Sequence, residues 1–107
     1  NHGFLYERHK GWRLSSAYDL NPTPVEIKPR ILTTTIDLND GTASLDLALS
    51  VLKDFRLSQD EAKAIMKEVG IEVAKWRDVA QTLGLNKAEI DRMVSAFEHS
   101  DSSVASK

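Results

Sequence analysis

The chain has 107 residues, 41% of them hydrophobic and 28% charged, which is one domain's worth of ordinary globular composition. Its zero cysteines exclude a disulfide framework and a thiolate metal site, and fit a cytoplasmic protein. The formal charge of −2 is unevenly spread: residues 1–36 carry five Lys/Arg against three Asp/Glu, residues 37–107 nine against thirteen. That acidic bulk argues against general nucleic-acid affinity, because a phosphate-binding surface needs clustered cations.

Asn1-His2-Gly3-Phe4-Leu5 opens the chain. Gly3 to Glu7 and Gly11 to Ser15 are short apolar–polar segments around Arg8-His9-Lys10, with Gly11 available for positive φ, and predict a two-stranded hairpin. From Asp19 to Arg30 three prolines and no helical period predict a loop. Ile31 to Ile36 alternates enough to form one more short strand, and Asp37-Leu38-Asn39-Asp40-Gly41 has the residues of a turn.

From Ser44 the pattern is helical. Ser44 caps a helix reaching to about Phe55. Ser58 and Glu61 form a capping box for a helix whose apolar stripe includes Ile65, Val69, Trp76, Ala80 and Leu83. Gly70 inside that stripe predicts a kink or a split, and Gly84 ends the run as a C-terminal cap. Asn86 and Glu89 cap a last helix carrying Ile90, Met93, Val94 and Phe97. The Ser-rich segment 100–107 has little to bury and is expected to fray as a flexible tail. No apolar run is long enough to cross a bilayer, so no membrane partner is expected. The absence of an initiator Met agrees with a fragment, a processed chain or trimmed numbering.

The candidate chemistry lies at the two ends of the hairpin. An Asn1 carbonyl and an Asp19 carboxylate are hard oxygen donors of the kind magnesium takes, and it takes only one or two from a protein. The spacing permits convergence without requiring it; a loose terminus and a turn residue before Asn21-Pro22 are the plain alternative. His2, His9 and His99 have no i, i+4 pairing and read as ordinary surface histidines. Ser15 and Ser16 read as turn residues, and Trp12 and Trp76 as anchors of core packing.

Asn1-His2-Gly3-Phe4-Leu5, Gly11-Trp12-Arg13-Leu14-Ser15 and Ala17-Tyr18-Asp19-Leu20-Asn21-Pro22 together resemble the C-terminal region of the HipA family of bacterial serine/threonine kinases, the toxins of type II toxin–antitoxin pairs. Trp76-Arg77-Asp78-Val79-Ala80 and Leu83-Gly84-Leu85 look similar too, so the resemblance spans nearly the whole chain and is most specific over residues 1–22. It implies a mainly α fold, a helical bundle from the distal part of a kinase-like C-terminal lobe with a short N-terminal β-hairpin. The lobe segment would cover 1–99, with hairpin and metal-Asp segment at 1–22 and helices at 44–98. Asn1 and Asp19 match the two magnesium positions. The base Asp would lie about five residues before the Asn, upstream of residue 1, along with the phosphate loop. Mg2+ and ATP are thus expected in a full-length parent, which would transfer the γ-phosphate to a protein Ser or Thr. Neither is expected to bind this fragment tightly. A protein substrate and a small DNA-binding antitoxin are the implied partners. The chain departs from the family at Ser16, where relatives usually have Pro, which loosens the expected approach to Asp19. It also lacks the Phe-Gly that follows this Asp in ordinary protein kinases.

The competing reading is a non-enzymatic module, either a helical docking domain or a helix-turn-helix. Ala80, Gly84 and Ile90 have helix-turn-helix spacing, but the second helix's outward Lys87, Glu89, Asp91 and Arg92 sum to zero charge.

Overall fold

A computed structural model describes residues 1–107. Strands β1 (Phe4–Glu7) and β2 (Gly11–Leu14) pair antiparallel in the register Phe4↔Leu14, Leu5↔Arg13, Tyr6↔Trp12, Glu7↔Gly11. The tip works because His9 and Gly11 both take positive φ, 69° and 91°. The rest of the chain is mainly helical: α1 (Leu45–Ser50), a 3-10 turn (Leu52–Phe55), α2 (Gln59–Val73), α3 (Trp76–Thr82), α4 (Lys87–Arg92), α5 (Val94–Phe97) and α6 (Ser100–Ala105). A mostly helical molecule with one short N-terminal hairpin is the architecture expected from the sequence.

The helix ends follow their local chemistry. Ser44 Oγ accepts from the Leu47 amide to start α1. Ser58 with Glu61 and Asn86 with Glu89 close full capping boxes on α2 and α4, each side chain serving the other residue's backbone N–H. At the end of α3, Gly84 at φ 82° donates to Gln81 O and Leu85 donates to Ala80 O, the paired bonds of a Schellman cap. Asp37 Oδ1 accepts from both Asn39 and Asp40 amides, which folds the predicted turn.

Four expectations are corrected. Gly70 does not break its helix: α2 runs through it to Val73, and the interruption falls at Ala74 and Lys75. The strand at 31–36 shrinks to one isolated bridge, Ile31↔Thr42. The last helix is divided at Met93 into α4 and α5. Segment 100–105, expected to fray, is helical and packs on α2.

The buried core is small: Trp76, Ala80 and Ile90, with Met93, Val94 and Phe97 half-buried around them. The Trp76 and Phe97 rings stack with centroids 4.6 Å apart and 9° between planes, while the Arg77 guanidinium lies over the indole at 4.6 Å. Trp76 is 8% exposed and anchors packing as its place on the stripe predicts; Trp12 is 71% exposed and does not. The long irregular segment 15–43 is tied to the helices at two points. Ser95 Oγ donates to Glu26 and accepts from the Val25 amide. Arg30 donates to Asp101 at 2.7 Å.

Candidate functional site

Antiparallel pairing continues past the named strands and carries the two candidate residues toward each other. Ser15 N donates to Gly3 O at 2.7 Å, and Ser15 Oγ accepts from the Gly3 amide at 3.2 Å. Beyond that, Tyr18 Oη donates to His2 O at 3.1 Å, so the strand after β2 bends back over residue 2. The next step places the Asn1 side chain against residue 19: its Nδ2 donates to the Asp19 backbone carbonyl at 2.5 Å. The contact is therefore built by sheet register plus one tyrosine hydroxyl, not by hydrophobic burial.

Asp19 adopts φ 52°, in the left-handed region that non-glycine residues enter at a cost but that Asp tolerates better than most. Its carboxylate accepts from the Asn21 Nδ2 amide, closing a tight local turn ahead of Pro22. Both Asn1 and Asp19 are exposed. The pair thus supplies one carboxylate and one amide carbonyl at the open end of the hairpin, and no group of three His, Cys, Asp or Glu side chains gathers there or elsewhere. Magnesium takes hard oxygen donors of these two types and completes its shell with phosphate oxygens and water. The residues present fit that ion in donor chemistry.

A cleft of about 770 Å³ adjoins the site. Asn1 and His2 are among its lining residues, and the lining is largely apolar, with Ile31, Leu32, Leu52, Phe55 and Met66 part of it. Asp19 lies outside it. Lys28 is its single charged residue, so the cleft has no cation cluster for a polyphosphate.

The other sequence candidates fall as follows. Ser15 is a hairpin-end bonding residue, donating to Ser16 O as well as serving Gly3. His2 stands edge-on to Phe4 at 6.1 Å, and His9 sits at the hairpin tip. His99 departs from the reading of an ordinary tail histidine: it caps α6 and accepts from Arg30, within a cluster completed by Asp101. Sequence reasoning missed this cluster because Arg30 lies 69 residues away, although His99-Ser100-Asp101 carries the mark of a helix start with an acidic first turn. The helix-turn-helix candidate becomes α3, the Gly84 turn and α4. α4 has only six residues, and its Asn86 and Glu89 side chains are spent capping each other.

Compared with known proteins, the chain matches no family model, no curated protein and no solved structure.

Proposed function

We propose that this chain is part of a HipA-like protein serine/threonine kinase, contributing the magnesium-holding end of the large lobe to a parent that phosphorylates a protein Ser or Thr. The observation that carries the reading is the closure of the hairpin ends, which sets the Asn1 side chain on residue 19. The left-handed backbone at Asp19 supports it, because conformational cost is tolerated where a side chain must be aimed. In this reading Asn1 and Asp19 hold Mg2+, which neutralises charge on the β- and γ-phosphates. The chain's own work is positioning. Sheet register, the Tyr18–His2 bond and the Asn1 bond to the Asp19 backbone carbonyl bring the two residues together, and the Asn21 amide holds one oxygen of the Asp19 carboxylate.

The base and the phosphate-gripping elements belong to the parent's other segments, so the 107 residues alone are expected to be catalytically silent. Two tests apply. In the parent, Asp19→Asn is expected to abolish phosphate transfer while leaving the circular dichroism spectrum unchanged, and undiminished phosphorylation by that variant would refute the assignment. On residues 1–107, calorimetry with Mg2+ and ATP is expected to give at best millimolar affinity; micromolar binding would refute the incomplete-site reading. An Asp encoded about five residues before Asn1, in the position of a catalytic-loop base, is the cheapest supporting observation.

The non-enzymatic alternative, DNA recognition by α3 and α4, has less support, because α4 is short, uncharged on balance and engaged in its own capping.

A further inference from the structure

Nδ1 of His99 has two donors aimed at it. Arg30 Nη1 approaches from the irregular segment at 3.1 Å, and the Ser102 amide from the first turn of α6 at 3.3 Å. An arginine cannot accept, so Nδ1 is the lone-pair nitrogen and the ring proton sits on Nε2. The same Arg30 reaches past His99 to Asp101 with its other nitrogen, at 2.7 Å. His99 is therefore at once the N-cap of α6 and the joint between the helix and the loop that crosses it.

We infer that His99 is an acid-sensitive latch: protonation of its Nδ1 releases α6 from its seat on α2 and widens the apolar groove beside it. That groove, about 430 Å³ and already open to solvent, lies between α1, α2 and α6, with Ile65, Met66, Val69, Val73 and Phe97 among its walls. The seat itself is Gly70. A Cβ there would stand 2.5 Å from the Ala105 carbonyl carbon and 2.6 Å from its oxygen, so α6 rests directly on the α2 backbone. That close contact lies at the C-terminal end of α6, and the N-terminal end is held by its cap and by the Arg30 bonds.

A proton on Nδ1 converts the acceptor into a donor facing a guanidinium and an amide N–H, and both bonds are lost together. Charged groups facing the ring are few. Arg30 disfavours the imidazolium, and Asp101 on α6 itself favours it. The walls that α1 and α2 give to the adjoining groove carry no charged side chain. Burial first, and then Arg30, hold the His99 pKa below its ordinary value. A depressed folded pKa means that the neutral form supports the docked state. That support is fully present above the ordinary histidine range near 6.5 and is withdrawn as pH falls through and below it. The reciprocal bonds between Ser102 and the His99 backbone do not titrate, so α6 is expected to loosen from its N-terminal end before it unwinds.

Hydrogen exchange on the full chain, corrected for intrinsic rates, tests this at pH 7.5 and 5.5. Protection across 100–106 is expected to fall by about tenfold at the lower pH, while α2 outside the Gly70 contact keeps its own. His99→Asn replaces the cap with an oxygen that does not titrate and should make the 100–106 protection equal at the two pH values. Arg30→Gln removes the cation that opposes protonation and should move the transition, followed by the His99 ring proton resonance, to higher pH. A merely structural cap would weaken α6 without moving that midpoint. Equal protection in the unaltered chain at both pH values, or the same acid loss in His99→Asn, would overturn the inference; so would an unmoved midpoint in Arg30→Gln.

Discussion

Two tryptophans show how differently single side chains count in this molecule. Trp76 stacks on Phe97 and carries Arg77 on its other face, so its removal empties the one dense cluster. Trp76→Ala is expected to cost about 3–5 kcal/mol in urea unfolding. Trp12→Ala, at a site 71% exposed, should cost under about 1 kcal/mol, since little packing is lost. Equal losses would contradict the assignment of the core. The glycines divide in the same way. Gly84 has open space around a would-be Cβ but a φ of 82°, so Gly84→Ala costs backbone strain of about 1 kcal/mol. Gly70 has ordinary backbone and no room, so Gly70→Ala should push α6 away, raising exchange in 100–105 while α2 stays helical. Gly70's part was hidden in the sequence. A glycine inside a helical stripe reads as a weak point, and only the arrival of Ala105 on its face shows that the missing Cβ serves packing.

Helix starts were the most legible elements, because a cap is decided within four residues. Ser44, Ser58 and Asn86 all do what their spacing predicts. The Ser58 hydroxyl, followed by its backbone amide, holds the Glu61 carboxyl below its ordinary value. The sign follows: the α2 cap is at full strength above the ordinary glutamate range near 4.5 and weakens as pH falls through the lowered value. Glu61→Gln should therefore flatten the acid limb of the stability profile between about pH 5 and 3, a change readable from thermal melts across that range. Helix interiors were less legible. The break at Lys75 has no glycine or proline to announce it, and Lys75 bonds Glu72 as an ordinary i, i+3 pair. The strand expected at 31–36 fails because its partner segment offers only one residue of pairing; the bonds between Leu32 and Gly41 and between Ala43 and Arg30 close a loop, not a sheet. In the candidate site, the hairpin that joins Asn1 to Asp19 was readable from apolar alternation and Gly11. The Tyr18 hydroxyl that bends residue 18 back over residue 2 was not, because no spacing rule encodes a bond across sixteen residues.

At the scale of the whole molecule the surface is larger than its mass warrants. The accessible area is 8612 Å², against about 6,000 Å² for a compact monomer of this size. The radius of gyration is 16.0 Å, where about 13 Å is usual for such a length. Much of the excess is apolar. The register puts Phe4, Tyr6, Trp12 and Leu14 on one face of the hairpin and Leu5, Arg13 and Glu7 on the other. Both faces are exposed, the aromatic one more so. A two-stranded hairpin is marginal without a helix or further strands behind it. We expect the isolated chain to bind the dye anilinonaphthalene sulfonate at neutral pH with its helical spectrum intact; exclusion of the dye would contradict so open a surface. No helix is long and apolar enough to cross a membrane.

The bond between Arg30 and Asp101 joins positions 71 apart and has a consequence for synthesis. A ribosome adding 5–20 residues per second needs about 4–14 s to travel from one to the other. Throughout that interval Arg30 exists without the partner that clasps it. Whatever guards the nascent chain from clumping must act in those seconds, before the final helix emerges to fasten it.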